Sequence, residues 1–182
     1  MINAVGKPLP FKNDLKTVNT DKYEKIENLL TKMQAPSAVI DDAQYLMANE
    51  FMRRANETGY QKFVDIGKKY WHLIVEVISQ GLPEDKIVYL MSHIERDQNG
   101  NEKVKTVGKM LDEKITVEGL FTIVLKTHVE NGEYTFVTQN GGNDTVKSPV
   151  GMFEEREIPN DLKMVDDIIR NYYGLNKKEE NK

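Results

Sequence analysis

The chain has 182 residues, with 25 Lys and Arg against 29 Asp and Glu, a formal net charge of −4. That length favours one compact domain, and the acidic balance excludes general polyanion binding, so any nucleic-acid contact needs a local basic patch. The lack of cysteine excludes disulfides, thiolate nucleophiles and Cys-type zinc sites together.

Met1–Val5 reads as a short strand, closed by the turn chemistry of Gly6-Lys7-Pro8-Leu9-Pro10. This N-terminus lacks the basic and apolar regions of a signal peptide. No apolar run reaches the roughly 18 residues that span a bilayer, so a cytoplasmic protein without membrane contact is expected. A helix is predicted over Asp21–Met33, with Thr20 or Asp21 as its cap and Tyr23, Ile26, Leu29, Leu30 and Met33 on one face. After Pro36, Ser37-Ala38-Val39-Ile40 is a short apolar strand that runs into Asp41-Asp42. Helices follow over Ala43–Ala55 and Tyr60–Gln80, the second stopped by Gly81.

Lys86-Ile87-Val88-Tyr89-Leu90-Met91 is apolar nearly throughout, the pattern of a strand buried on both faces of a parallel sheet. It ends at Ser92-His93. Asn99-Gly100 and Asn131-Gly132 are hairpin turns, because Asn-Gly accommodates two positive φ angles. The second joins a strand over Leu120–Thr127 to one over Tyr134–Thr138. A loop rich in Gly, Asn, Ser and Pro covers Gln139–Pro149 and carries Lys147. A last helix spans Asp161–Tyr173, with Leu162, Val165, Ile168, Ile169 and Tyr172 inward. The domain is thus expected over residues 1–175, with a charged, disordered tail over 176–182. Strands and helices alternate first and hairpins follow: an α/β fold, mostly parallel, with antiparallel additions.

Ligands of parallel α/β sheets bind beyond the carboxyl ends of the strands, which is where Asp41, Asp42 and His93 fall. One carboxylate there suits Mg²⁺, which takes few protein ligands, and a second suits orienting or deprotonating a water. The alternative for the acid pair is capping the next helix. For His93 it is a hydrogen-bonded imidazole at a sheet edge. His72, on a helix beside Trp71, and His128, in a hairpin, are not expected to be catalysts, and no His-Glu-x-x-His spacing occurs. Lys103, Lys105, Lys109 and Lys114 are candidates for a basic patch. Tyr172 and Tyr173 could stack bases, although core packing suits Tyr172 better.

Several segments together resemble phage-encoded AAA/RecA-type P-loop ATPases of single-strand annealing recombination. They are Ala38–Met47, Ile87–His93, Thr106–Lys114, Glu118–Leu125, Lys147–Glu154 and Ile158–Asp166. The resemblance implies a RecA/AAA-like sheet flanked by helices, with ATP and Mg²⁺ as cofactors. It implies hydrolysis coupled to assembly on single-stranded DNA, and a homo-oligomer or a full-length ATPase or recombinase as partner. Asp41 then matches the metal-holding Walker B aspartate, Asp42 the adjacent catalytic acid and His93 the polar sensor, while Lys147 would reach a neighbouring nucleotide.

The chain departs from that family in its phosphate loop, Gly-x-x-x-x-Gly-Lys-Ser/Thr. Gly6-Lys7, Gly67-Lys68 and Gly108-Lys109 are followed by Pro8, Lys69 and Met110. The resemblance therefore implies a chain that begins just after the Walker A unit, with the P-loop strand and helix missing. Four lost hydrogen bonds to a charged group, at about 1.5 kcal/mol or more each, lower affinity on the order of 10⁴-fold. The chain alone is then expected to be inactive and to hold no nucleotide, or to serve as a non-catalytic partner. The missing strand is expected between those ending at Asp41 and His93, leaving a gap to be closed by those strands moving together, by pairing of Met1–Val5 elsewhere, or by a second polypeptide.

Overall fold

The computed structural model describes residues 1–175, so the expected tail at 176–182 lies outside the described residues. Two compact units emerge: Met1–Glu95 with Val104–Leu120, and Arg96–Lys103 with the chain from Phe121 onward.

The first unit is built on β1 (Ile2–Asn3), β2 (Val18–Asn19), α1 (Tyr23–Thr31), β3 (Ser37–Asp41), α2 (Gln44–Arg53), α3 (Gln61–His72) and β4 (Ile87–Leu90). Its four strands form a sheet in the order β2-β1-β3-β4, every pair parallel. The opening strand is only two residues long, yet it is held on both sides. Ile2 pairs with Val18 and Ile40, and the terminal ammonium donates to Lys16 O at 2.7 Å. Ile2, Ile26, Leu30, Ile40, Leu46, Met47, Ile66, Tyr70 and Leu73 make up much of the buried apolar set of this unit.

Strands β3 and β4 are direct neighbours, in register from Ser37↔Ile87 to Ile40↔Leu90. No strand stands between them, which is the arrangement expected if the two strands lie directly together: two short parallel strands satisfy each other's backbone groups. β4 lies at the margin of the sheet and all four of its residues are half-buried, so its continuous apolar run does not signal complete burial of both faces.

Two helical expectations are also corrected. Tyr60–Gln80 is not one α-helix, because α3 gives way at Leu73 to a π-helical segment, Leu73–Ser79. The β-branched residues Ile74, Val75, Val77 and Ile78 crowd an α-helical turn, and the wider turn buries Leu73 as well as Ile74. Helix α1 has Lys22 at its cap position with no side-chain cap. Thr20 Oγ1 accepts from Lys22 N at 3.3 Å, while Asp21 accepts from Asn49 and Arg53 of α2 at 2.9 and 2.6 Å. In Thr106–Lys114 the positive φ of Gly108 delays the helix, and a π-helical segment covers only Met110–Ile115.

The unit boundary falls within the hairpin of β5 (Ile94–Arg96) and β6 (Glu102–Val104), where Gly100 takes a positive φ of 82° but Asn99 does not, so the expected two-residue Asn-Gly geometry is absent there. In the second unit β7 (Lys126–Glu130), β8 (Glu133–Val137) and β9 (Glu157–Pro159) form an antiparallel sheet. The two-residue turn Asn131-Gly132, with φ of 53° and 84°, sets Glu130 opposite Glu133. Pairing of β7 with β8 ends at Lys126↔Val137, so Leu120–Leu125 is not the expected continuation of β7. Val117–Leu120 is a 3₁₀ turn, and Val124 instead exchanges backbone bonds with Lys147 at 2.8 and 2.9 Å. Helix α4 (Leu162–Tyr173) matches its sequence signals. Asp161 Oδ1 caps Lys163 and Met164 N–H at 2.8 and 3.1 Å, and Gly174 terminates it at φ 68°. Tyr172 is exposed and its hydroxyl donates to Val150 O at 2.9 Å, which corrects its expected place in the core.

Candidate functional site

Three parallel strands deliver their carboxyl ends to one place in the first unit. After β1 the buried side chain of Asn3 folds the chain back on itself. Its Oδ1 accepts from Gly6 N at 2.7 Å and its Nδ2 donates to Lys7 O at 2.8 Å, with Gly6 at a φ of 76° that suits glycine. That turn carries Lys7 to Asp42, where the ammonium lies 2.8 Å from Oδ2.

After β3 the backbone turns at Asp42 through a φ of 56°, a region Asp tolerates better than most residues. The residue is 7% exposed. Helix α2 begins beyond it with Ala43 at the cap position and no side-chain cap, so helix capping does not account for the acid pair. After β4 the segment Met91–His93 is fastened to the same turn. Ala43 N donates to Met91 O at 2.8 Å, and His93 N donates to the buried Gln44 Oε1 at 3.2 Å. The His93 ring places Nε2 3.1 Å from Asp42 Oδ1, and Tyr45 meets the ring edge-on at 6.3 Å. Below this loop, Tyr70 hydrogen-bonds Ser92, and burial pushes its phenol up to about 12.

Asp42 is thus an ionised group inside the protein. Burial opposes its charge, but hydrogen bonds and attraction from Lys7, and then from His93, outweigh burial and hold the carboxyl below its ordinary value. The hydrogen bond with Asp42 in turn raises Lys7. Both carboxylate oxygens are engaged, one by each cation-capable partner. Asp41 differs: it pairs with Asn3 through the sheet, and its carboxylate has no hydrogen bond or ion pair among the described residues.

These features decide how a metal nucleotide fits. Mg²⁺ accepts a single protein carboxylate and completes its shell with water and phosphate oxygens, so Asp41 fits it as a lone ligand. Asp42 does not, because a metal would have to displace Lys7 or His93. Among the described residues no group of three His, Cys, Asp or Glu side chains could hold a metal. Among the described residues the Gly-Lys steps offer a triphosphate no cradle either. Gly67 lies inside α3, where an added Cβ would stand 2.6 Å from Met110 Cε. Gly108 faces Phe63 at 3.2 Å. Both Gly-Lys steps serve turns and close packing.

Asp41, Asp42 and His93 therefore stand together. Lys147 belongs to the second unit, where its backbone is bridged to Val124. Lys105, Lys109 and Lys114 belong to the first unit and Lys103 to the second, and Lys109 lies 3.5 Å from Glu113, so they are not one unscreened patch within a unit. His72 is paired with Glu76 and Glu27, and His128 with Glu157. Lys7, Asn3 and Gln44 are site residues that the sequence reading missed. Only Asn3-x-x-Gly6, a spacing suited to a side-chain-closed turn, was visible in advance. No family model matches the chain, and no curated protein or solved structure is significantly similar to it. No helix among the described residues is long and apolar enough to cross a membrane.

Proposed function

We propose that this chain supplies the acid and sensor residues of a RecA/AAA-type nucleotide-hydrolysing domain of phage recombination descent. A Gly-rich phosphate loop from another segment, in cis or in trans, completes the site. The observation that carries the reading is the convergence of Asp41, Asp42 and His93 at the carboxyl ends of adjacent parallel strands, the position where such sheets bind ligands. Asp41 holds Mg²⁺, His93 and Asp42 face the terminal phosphate and its attacking water, and turnover is coupled to assembly on single-stranded DNA. Lys147 approaches nucleotide only from a neighbouring copy.

A second reading has its own support. Asp42 is paired with the Lys7 ammonium and within hydrogen-bond reach of His93, and the Gly-Lys steps at Gly67 and Gly108 are committed to packing. On that reading the chain is a non-hydrolysing partner of a full-length ATPase or recombinase.

Calorimetry with Mg-ATP separates the two. The chain alone shows no binding at micromolar nucleotide on either reading. A version extended at its N-terminus by a strand, a Gly-x-x-x-x-Gly-Lys-Ser/Thr loop and a helix binds and hydrolyses Mg-ATP on the first reading, and Asp41→Ala abolishes its metal dependence. A folded extended version that binds no nucleotide leaves only the non-catalytic partner. Micromolar binding by the chain alone overturns the premise that the cradle lies elsewhere.

A further inference from the structure

We infer that the free edge of β7 is a self-association surface, on which β7 of a second copy of this chain pairs antiparallel about a two-fold axis through His128. The inference involves no nucleotide and rests on neither reading above.

The hairpin decides which backbone groups are free. Asn160 N donates to Tyr134 O and Thr138 N donates to Arg156 O, so Tyr134, Phe136 and Thr138 turn their backbone groups toward β9. Glu133, Thr135 and Val137 turn theirs toward Glu130, His128 and Lys126 of β7. The alternate residues of β7, Thr127 and Val129, point their N–H and C=O groups away from the sheet, with no hydrogen-bond partner among the described residues. Such an edge is a template for another strand. One of its faces is also apolar at the hairpin end, where Val129 is 52% exposed and its cross-strand neighbour Tyr134 is 65% exposed.

Charge selects the strand that fits. The hairpin register sets Glu130 directly opposite Glu133, a like-charge pair that costs stability. Neither carboxylate makes an ion pair among the described residues. Lys126 lies at the other end of the same strand, paired with Glu102 but still part-exposed. An axis through His128 sets Thr127 opposite Val129 of the second copy, and the two exchange both backbone bonds. The same register sets Lys126 opposite Glu130 of the second copy, and Glu130 opposite the second copy's Lys126. Each Glu130 thereby gains the cation its own hairpin lacks. The edge is complementary to itself, so the contact is isologous and closes as a dimer. The two His128 side chains meet at the axis, and each is already 3.2 Å from Glu157 of its own sheet. A foreign strand would have to reproduce the spacing of Lys126 and Glu130, which a second copy already carries.

Sedimentation equilibrium of the full chain tests the surface. A weak, reversible dimer is expected, as suits a short pairing edge. Val129→Pro removes only an outward N–H, a place where edge strands tolerate proline, and should weaken association about tenfold or more. Glu130→Lys sets Lys opposite Glu133 within its own hairpin, which favours the fold, but sets it against Lys126 of the second copy, so a folded monomer is expected. The chain has no cysteine, so one introduced thiol reports the register. Residues facing each other at the axis have Cα atoms about 4.5 Å apart, within disulfide reach. His128→Cys should therefore oxidise to a covalent dimer, while Glu130→Cys should not. A chain that stays monomeric at every concentration leaves the edge to a foreign strand or to none, and overturns the inference. A dimer indifferent to both Val129→Pro and Glu130→Lys overturns it as well, because association then lies elsewhere. Cross-linking of Glu130→Cys without that of His128→Cys overturns the two-fold register. None of these outcomes bears on nucleotide binding by the loop-completed version, so this inference and the hydrolytic reading fail separately.

Discussion

Lys7 and Asp42, thirty-five positions apart, meet at 2.8 Å over the carboxyl ends of β1 and β3. The lysine is half exposed and the aspartate buried, so the pair closes one side of a carboxylate whose other side is closed by His93. Its geometry depends on Asn3, a 2% exposed side chain that binds the backbone on both sides of the Gly6–Lys7 peptide.

Asn3→Ala removes both of those hydrogen bonds and leaves Gly6 N–H and Lys7 O to find other partners. A stability loss of about 1 to 3 kcal/mol is expected, read as a lower urea midpoint at unchanged slope. Lys7→Met should leave the Asn3 turn intact while removing the ammonium. A large change in Asn3→Ala with none in Lys7→Met would place the energy in the turn. Equal losses would place it in the ion pair.

Acid titration of stability should report Asp42. Its folded-state pKa lies below the ordinary 3.8, so its contribution is present above that value and is lost as pH falls below it through the folded pKa. Asp21 and Glu50 are shifted in the same direction, so the wild-type curve alone is a composite. The measurement is the difference between wild type and Asp42→Asn in denaturant midpoints from pH 7 to 2. A wild-type advantage at pH 7 should shrink on acidification. A difference that stays constant with pH would show that Asp42 does not titrate with folding.

Gly108→Ala tests whether that Gly-Lys step is structural. The glycine has a φ of 86°, and a Cβ there would meet the Phe63 side chain at 3.2 Å. A cost of about 1 to 2 kcal/mol is expected from the backbone alone, with a matching fall in the thermal midpoint. A neutral or stabilised Gly108→Ala variant would remove the packing account of this residue.

What could be read along the chain was whatever depends on neighbours in sequence. The apolar strand broken by Asp41-Asp42, the apolar run ending at His93, the Asn131-Gly132 hairpin and the Asp161-capped helix all declare themselves through periodicity, turn chemistry or capping. In each case the free energy resides in residues a few positions apart. The lone-standing Asp41 and the paired Asp42 look equivalent in sequence, and only the backbone turn at Asp42 sends the second carboxylate inward while the first stays in the strand.

Tertiary structure decided the rest. The choice between a helix-capping and a site role for Asp42 depended on which donors came within hydrogen-bond reach from β1 and β4, and those lie dozens of residues away. The π-helical wrap of Leu73–Ser79 and the early end of β7 likewise depend on crowding and on where a partner strand stops. Local sequence sets which conformations are cheap. The pairing of distant backbone and charged groups selects among them, because a buried carboxylate such as Asp42 is stable only where Lys7 and His93 can both reach it.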